Sequence, residues 1–156
     1  MRITSKGEYG VRAMLELAIH YGQGPISISA IAKKQEISEH YLEHLFASLR
    51  DAGLITSFRG AHGGYELARA PEEISIGDII RVLEGPIAPM DCVAKDPVFC
   101  TRMGNCATRV LWKKLQTSME KVLESTTLAW LYEEAKKFDA EDDSLCNASI
   151  TKSNEE

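Results

Sequence analysis

The segment between residues 30 and 67 constrains the fold of this chain more than any other. A short apolar helix over 30–35, with Ser29 as its candidate cap, is followed by a break and by a second helical pattern that starts after Ser38. Two extended segments, 55–58 and 65–67, flank a loop with three glycines, which can adopt the positive φ angles of a hairpin tip. Helix, turn, helix and β-hairpin in this order predict a winged helix-turn-helix.

Apolar residues at helical spacing predict further helices over residues 11–21, 76–84, 108–124 and from 128 onward. The helix over 108–124 carries one apolar stripe, which so small a body would leave poorly covered. This favours a dimer seam over a monomer core, because winged-helix proteins gain specificity by reading paired half-sites. We therefore predict a mainly α fold with a small β-hairpin, namely a winged helix-turn-helix plus a long dimerisation helix.

The negative charge is concentrated at one end of the chain. The formal net charge is −5, yet the first 70 residues hold 8 Lys and Arg against 7 Asp and Glu, whereas residues 139–156 hold 1 against 6. This acidic tail is expected to be disordered. The near-neutral body permits DNA binding through a local basic cluster, and it argues against a protein that coats nucleic acid by charge alone.

These patterns divide the chain into four regions. We expect a DNA-binding domain, a cysteine-containing loop, dimerisation helices and the acidic tail at residues 1–85, 86–107, 108–138 and 139–156. The first residues lack the apolar core of a signal peptide, and no apolar run could span a bilayer. We therefore expect a cytoplasmic protein with no membrane partner.

The second helix of the motif is the candidate reading element. His40 and His44 can donate or accept hydrogen bonds at base edges, and Glu43 can accept one from a cytosine amine, although a merely solvated helix face would look similar. Arg59 beside the glycine-rich tip can enter a narrow minor groove, and Lys6 can bond phosphates. The predicted DNA-contacting residues are Thr4, Ser5, Lys6, Ser38, His40, Tyr41, Glu43, His44, Arg50, Arg59 and Gly60.

Four cysteines in a cytoplasmic chain favour metal or redox chemistry over disulfides. Seven residues separate Cys92 from Cys100 and five separate Cys100 from Cys106, unlike the paired C-x-x-C spacing of a zinc ribbon. Three thiolates on one irregular loop suit an iron–sulfur cluster, while the alternatives are reduced cysteines or a thiol switch. Cys146 is expected to be a bystander. No catalytic motif is recognisable, so we do not expect an enzyme.

Four stretches resemble the IscR-type family of winged-helix transcription regulators. They are MRITSKGEYG at 1–10, SEHYLEHL at 38–45, RGAHGGY at 59–65 and IIRVLEGP at 79–86. The resemblance covers residues 1 to about 135. It implies a winged-helix homodimer with a long dimerisation helix that binds palindromic double-stranded operator DNA, with RNA polymerase as a further candidate partner.

In cluster-bearing members of this family, three loop cysteines ligate the cluster, and here they correspond to Cys92, Cys100 and Cys106. The gap between the first two is wider than the family pattern. Where relatives have a histidine ligand, this chain has Arg109, a cation that cannot ligate. By resemblance, Glu8 is the first candidate for the fourth ligand, and the alternatives are Glu43, a histidine or an exogenous ligand. The resemblance favours a [2Fe–2S] over a [4Fe–4S] cluster.

The resemblance therefore implies an iron–sulfur-dependent regulator that controls iron–sulfur cluster assembly genes. A glutamate in the recognition helix of such relatives helps to discriminate operators, and Glu43 is its counterpart here. The alternatives within the family are a nitric-oxide-sensing repressor and a cysteine-metabolism repressor. An iron–sulfur carrier or a protein-interaction adaptor would belong to different classes of function.

Overall fold

The computed structural model describes residues 2–97 and 99–151, with side chains described as far as 139. The helices are α1 (Ser5–Ile19), α2 (Ile28–Gln35), α3 (Glu39–Asp51), α4 (Ile76–Glu84), α5 (Ala107–Ser125) and α6 (Leu128–Thr151). Between α3 and α4 lie two antiparallel strands, β1 (Ile55–Phe58) and β2 (Gly64–Leu67). The predicted mainly α fold with a small hairpin is confirmed.

The core forms where α1, α3 and α4 pack together, with α2 and the start of α6 closing its edges. Each of these helices contributes an apolar stripe at helical spacing. Burial of one such Leu-, Ile- or Phe-sized side chain stabilises the fold by about 1.5–3 kcal/mol. The largest fully buried side chains are Met14, Leu17, Ile31, Leu42, Phe46, Leu49, Ile74, Ile79, Ile80 and Leu128.

The two helices of the motif begin at serine caps. Ser38 accepts a hydrogen bond from the Tyr41 amide at 3.2 Å and starts α3, as the sequence predicts. The predicted cap of α2 at Ser29 is wrong, because α2 starts two residues earlier and Ser27 accepts from the Ala30 amide at 3.2 Å. Ser29 therefore falls inside the first helical turn. Glu36, with a left-handed φ of 55°, turns the chain between the two helices.

The first helix also starts earlier than the sequence predicts. The apolar pattern indicates a helix over 11–21, whereas α1 begins at Ser5 with Thr4 as its cap. The first turns of α1 contain Gly7 and Gly10, which add nothing to an apolar stripe. The apolar pattern in the sequence therefore does not reveal these turns. Gly10 faces α4 so closely that a Cβ there would overlap Leu83.

The hairpin is joined to the helical body by one backbone bridge. Ile55 pairs with Leu67 and Phe58 with Gly64. Ile26, just before α2, exchanges two backbone hydrogen bonds with Tyr65, at 2.8 and 3.0 Å. This bridge fixes the hairpin beside the helix-turn-helix motif.

The long helix α5 has no buried residue in the single chain. Four of its apolar side chains are exposed by 42–72%, and they are Val110, Leu111, Leu115 and Val122. Backbone hydrogen bonds from Ile76 to Thr126 and from Leu128 to Ile74 fix the junction between α5 and α6. A wide apolar face is thus left without a partner inside the described part of the chain.

The last helix extends past the predicted boundary at residue 138. The backbone of α6 is helical to Thr151, whereas the sequence analysis expects disorder from 139 onward. The acidic composition favours disorder, but no Gly or Pro interrupts residues 128–151 to end a helix. Residues 152–156 lie outside the described residues, and so does the side chain of Cys146.

We expect Gly64→Ala to lower the free energy of unfolding by about 2 kcal/mol or more. Gly64 has a φ of 153°, and an added Cβ would overlap the backbone carbonyl of Ile26. Equilibrium unfolding in denaturant measures the loss. The matched control is Gly104→Ala, where an added Cβ meets no atom within 4 Å. Equal losses in the two variants would contradict the close approach at Gly64.

Candidate nucleic-acid interface and cysteine loop

Helix α3 buries one face in the core and exposes the opposite face to solvent. Leu42, Leu45, Phe46 and Leu49 lie in the core, while the opposite face exposes polar and charged side chains. Tyr41 is half-buried and packs edge-on against Tyr9 of α1, with ring centroids 6.0 Å apart. The predicted reading residues His40, Glu43, His44 and Arg50 are all exposed.

Three of these side chains form a cluster on the exposed face. The Nε2 atoms of His40 and His44 lie 3.3 Å apart, and their rings meet edge-on. The Oε2 atom of Glu43 lies 3.9 Å from Nδ1 of His40. Donors and acceptors therefore stand side by side on one patch of α3, as a groove-reading surface requires.

The hairpin presents Arg59 at the end of β1. Gly60, with a φ of 109°, starts the turn, and the Arg59 side chain makes no ion pair with any residue that the structure describes. Gly63 is also required, since a Cβ there would overlap the carbonyl oxygen of Phe58. The tip thus holds an exposed guanidinium on a rigid turn.

The start of α1 is held by a residue that sequence reasoning missed, Glu84 at the end of α4. Its Oε1 accepts hydrogen bonds from the Thr4 amide and the Thr4 hydroxyl, both at 2.7 Å, and from the Gly7 amide at 2.9 Å. The Thr4 hydroxyl hydrogen is thereby committed within the chain, while Ser5 and Lys6 stay exposed. The signal in the sequence was a glutamate directly before the helix-ending Gly85.

The environment of Glu84 favours its charged form. Burial would raise the pKa of Glu84, but hydrogen bonds from the Thr4 side chain and from the Thr4 and Gly7 amides, with the charge of Lys6, hold the pKa below its ordinary value. A carboxylate at the N-terminus of α1 also suits the helix dipole. Glu84 therefore fixes the position of the N-terminal segment that carries Lys6.

Two side chains of α1 tie α2 to it. Arg12 donates to the Gln35 carbonyl at 2.8 Å, satisfying the end of α2. Glu16, only 3% exposed, accepts from Lys34 at 2.7 Å and from the Gln35 amide side chain at 3.2 Å. These bonds set the angle at which the helix-turn-helix leaves α1, and no motif in the sequence pointed to them.

The three loop cysteines differ in surroundings. Cys92 is half-buried in a 3₁₀ turn at Asp91–Val93, Cys100 is exposed, and Cys106 is half-buried at the start of α5. The Cys106 Sγ lies 3.2 Å from the Thr108 hydroxyl. Hydrogen bonds from that hydroxyl and from the Arg109 amide lower the pKa of the Cys106 thiol, and the charge of Arg102 adds to this.

Arg109 connects two of these cysteines. Its Nε donates to the Cys92 carbonyl at 3.1 Å, while its own amide lies against Cys106. However, the described residues include no group of three or more His, Cys, Asp or Glu side chains placed to share a metal ion. Glu8 is exposed on α1, and its Oε1 atom lies 4.0 Å from the Nη1 atom of Arg12.

An exposed polar helix face beside a hairpin with a free arginine defines a winged helix-turn-helix DNA-binding protein. The chain matches the Rrf2 family, described as iron-dependent transcriptional regulators, over residues 3–134. It therefore belongs to the Rrf2 family.

The relatives include two kinds of regulator. The chain is 47% identical over 128 residues to the regulator CymR of Bacillus subtilis, covering 82% of this chain and 87% of that protein. It is 39% identical over 142 residues to the regulator IscR of Sodalis glossinidius, covering 91% and 85%.

Solved structures show the same fold. The structure of CymR, the global cysteine regulator of B. subtilis, aligns with a TM-score of 0.74 at 46% identity, covering 86% of this chain and 98% of that one. T. potens IscR aligns with a TM-score of 0.69 at 44% identity, covering 86% and 88%. The predicted winged-helix fold and family are confirmed. None of the described helices has the length and apolar character to cross a membrane.

Glu84→Gln should lower the free energy of unfolding at neutral pH by about 1 kcal/mol, because it removes the charge that three donors favour. The pKa of Glu84 is lower in the folded chain, so its contribution is present above the unfolded value and is lost as the pH falls through the folded value. The difference between wild type and variant should thus shrink on acidification. Urea unfolding at several pH values measures it.

The matched control is Glu72→Gln, since Glu72 is exposed and accepts no hydrogen bond among the described residues. It should change stability little at any pH. A Glu84→Gln difference that stays constant down to acid pH would contradict the role of the charge.

Proposed function

We propose that this Rrf2-family regulator acts in the cytoplasm as a homodimer on palindromic operator DNA, and that an iron–sulfur cluster on its cysteine loop controls binding. Iron–sulfur cluster assembly genes are the proposed targets. The observation that carries the proposal is a DNA-reading surface of the family fold together with three cysteines in one loop. RNA polymerase is a further proposed partner.

The reading surface suits both grooves of DNA. The exposed face of α3, with His40, Glu43 and His44, can enter the major groove, where base edges present distinct donors and acceptors. The free guanidinium of Arg59 can enter the adjacent minor groove, where the potential is most negative. The exposed ammonium of Lys6 can bind a phosphate, which positions the protein without reading sequence.

The uncovered face of α5 supports a homodimer. Val110, Leu111, Leu115 and Val122 are exposed in one chain, and a second copy of the same helix offers an equally apolar face. A groove lined by Ile3, Met119, Val122 and Leu123 continues this face toward the N-terminus of α1. A two-fold dimer would present two α3 helices to two half-sites, which matches a palindromic operator.

The chemistry of the loop fits an iron–sulfur cluster. Thiolates are the preferred ligands of such clusters, and the lowered pKa of Cys106 favours its ligating form. Cys92, Cys100 and Cys106 would hold the cluster, with Glu8 as the proposed fourth ligand. Since the described side chains form no three-residue metal group, the loop would have to close to bring them together. When bound, the cluster supplies an iron- and oxidant-sensitive link across the loop.

The loop is connected to the DNA-binding domain through named contacts. The Gln116 side chain of α5 donates to the Ile87 carbonyl at 2.9 Å, where the loop leaves α4. Arg81 of α4 forms an ion pair with Glu124 of α5. Because α4 ends with Glu84, which holds Thr4 and Gly7, a shift of the loop can reach the N-terminus of α1 and Lys6. We propose this chain of contacts as the route of control.

A second candidate is a repressor of cysteine metabolism that works without metal. The 47% identity to CymR favours it, and so does the absence of a grouped metal site among the described side chains. In that case the three cysteines are reactive or idle thiols, while the DNA-binding proposal is unchanged.

Iron and acid-labile sulfide should each reach about two per chain in anaerobically purified protein, with visible absorption typical of a [2Fe–2S] cluster. Alanine at Cys92, Cys100 or Cys106 should abolish both, whereas Cys146→Ala, the matched control, should retain them. About four of each would indicate a [4Fe–4S] cluster instead. No iron after anaerobic reconstitution would overturn the cluster proposal and favour the thiol repressor.

Arg59→Ala should weaken operator binding and reduce the slope of log affinity against log salt by about 1, because one charge contact is lost. Fluorescence anisotropy with labelled duplex at several salt concentrations measures both. The control is Lys137→Ala, which removes an exposed positive charge on α6 far along the chain from the wing. Unchanged affinity and slope for Arg59→Ala would show that the wing does not contact DNA.

A further inference from the structure

The geometry of His40 and His44 points to a site for a divalent transition-metal ion on the DNA-reading face of α3. We infer that they chelate an ion of the Zn²⁺ or Ni²⁺ class and that the bound ion reduces the preference of α3 for its operator. The metal site stands by itself, whereas its effect on operator preference rests on the proposed function.

The spacing of the two rings carries the inference. Residues four apart lie on the same face of a helix, and a pair of histidines at this spacing is a known metal-chelating arrangement. The Nε2 atoms of His40 and His44 are 3.3 Å apart. Two nitrogens that bind one ion at 2.0–2.1 Å with a tetrahedral angle are separated by about 3.3 Å. The pair therefore already has the nitrogen separation that chelation needs.

The position of Glu43 supports the same conclusion. Metal-binding histidines commonly donate their second ring N–H to a carboxylate, which fixes the tautomer and increases the basicity of the ligand. Glu43 Oε2 lies 3.9 Å from Nδ1 of His40, on the opposite side of the ring from Nε2. At this distance the carboxylate acts on the ring through its charge and makes no hydrogen bond with it. The negative charge of Glu43 also favours a cation at this patch.

The exposure of the site and its nitrogen donors indicate which class of metal ion it would bind. His40 is 84% exposed, so water can fill the remaining coordination positions. Imidazole nitrogen suits Zn²⁺, Ni²⁺ and Cu²⁺, whereas Mg²⁺ and Ca²⁺ prefer oxygen ligands. An ion held here occupies the two nitrogens that would otherwise bond to base edges. Specific reading by α3 should weaken, while the contact of Lys6 with phosphate and that of Arg59 in the minor groove remain.

Anaerobic titration of Ni²⁺ into the full-length chain tests the site without DNA. Wild type should bind one Ni²⁺ per chain, and His40→Ala or His44→Ala should weaken binding about tenfold or more. The matched control is His62→Ala, an exposed histidine on the hairpin tip, which should bind as wild type does. These are surface positions, and circular dichroism confirms that each variant is folded.

A Ni²⁺ affinity of His40→Ala equal to that of wild type would overturn the site. A thiolate-to-nickel charge-transfer band as the only spectral change would also overturn it, because it would show that the ion binds to cysteines instead. The effect on DNA is measured with a duplex selected from a random library by wild-type protein without added metal. Ni²⁺ should reduce its preference over a scrambled duplex at least tenfold in wild type, and removal of the ion with excess EDTA should restore that preference. An unchanged or increased preference would overturn the competition. Failure to select any duplex would instead count against the proposed function, while the titration still tests the site.

Discussion

The close packing of α1 against α4 is the contact on which the rest of the structure depends. Gly10 lets the two helices approach, because any Cβ there would overlap Leu83, and the Glu84 carboxylate then receives two amides and a hydroxyl at the start of α1. From this fixed helix, Arg12 and Glu16 reach α2 and so orient the helix-turn-helix. An apolar core and a small number of charge-assisted hydrogen bonds thus position α3 with its polar face exposed.

The sequence predicts much of this architecture because local signals and the apolar pattern agree. Ser38 predicts the start of α3, Gly85 the end of α4, and the glycine-rich tip the hairpin, and all three are confirmed. The start of α1 was missed since its first turns hold glycines instead of apolar residues. The cap of α2 was misplaced by two positions, as Ser27 and Ser29 are chemically equivalent and only the backbone distinguishes them. Glu84 was missed because its partners lie about 80 residues away, and no local pattern encodes such a contact.

The predicted reading residues and the predicted metal ligands differ in how far local structure brings them together. On α3, a regular helix places His40, Glu43 and His44 side by side, so sequence spacing translates directly into proximity. On the cysteine loop, the backbone is irregular and spacing has no such meaning. There, among the residues that the structure describes, Arg109 connects Cys92 with Cys106 through its guanidinium and its own amide. The arrangement of ligands on such a loop depends on the ion or cluster that the loop encloses. On a regular helix, the backbone itself arranges the side chains, and no bound group is needed.

The uncovered face of α5 has a consequence for how the regulator responds to its own abundance. Met119 and Leu123 of α5 pack partly against the core of the same chain, whereas Val110, Leu111, Leu115 and Val122 are exposed and would be buried only in the proposed homodimer. In the proposed homodimer, the fraction of chains that can read two half-sites would therefore rise with protein concentration. Halving the number of copies per cell therefore lowers the dimer concentration by more than half when dimers are the minor species. Under the proposed function, the expression level would then affect operator binding in addition to any cofactor.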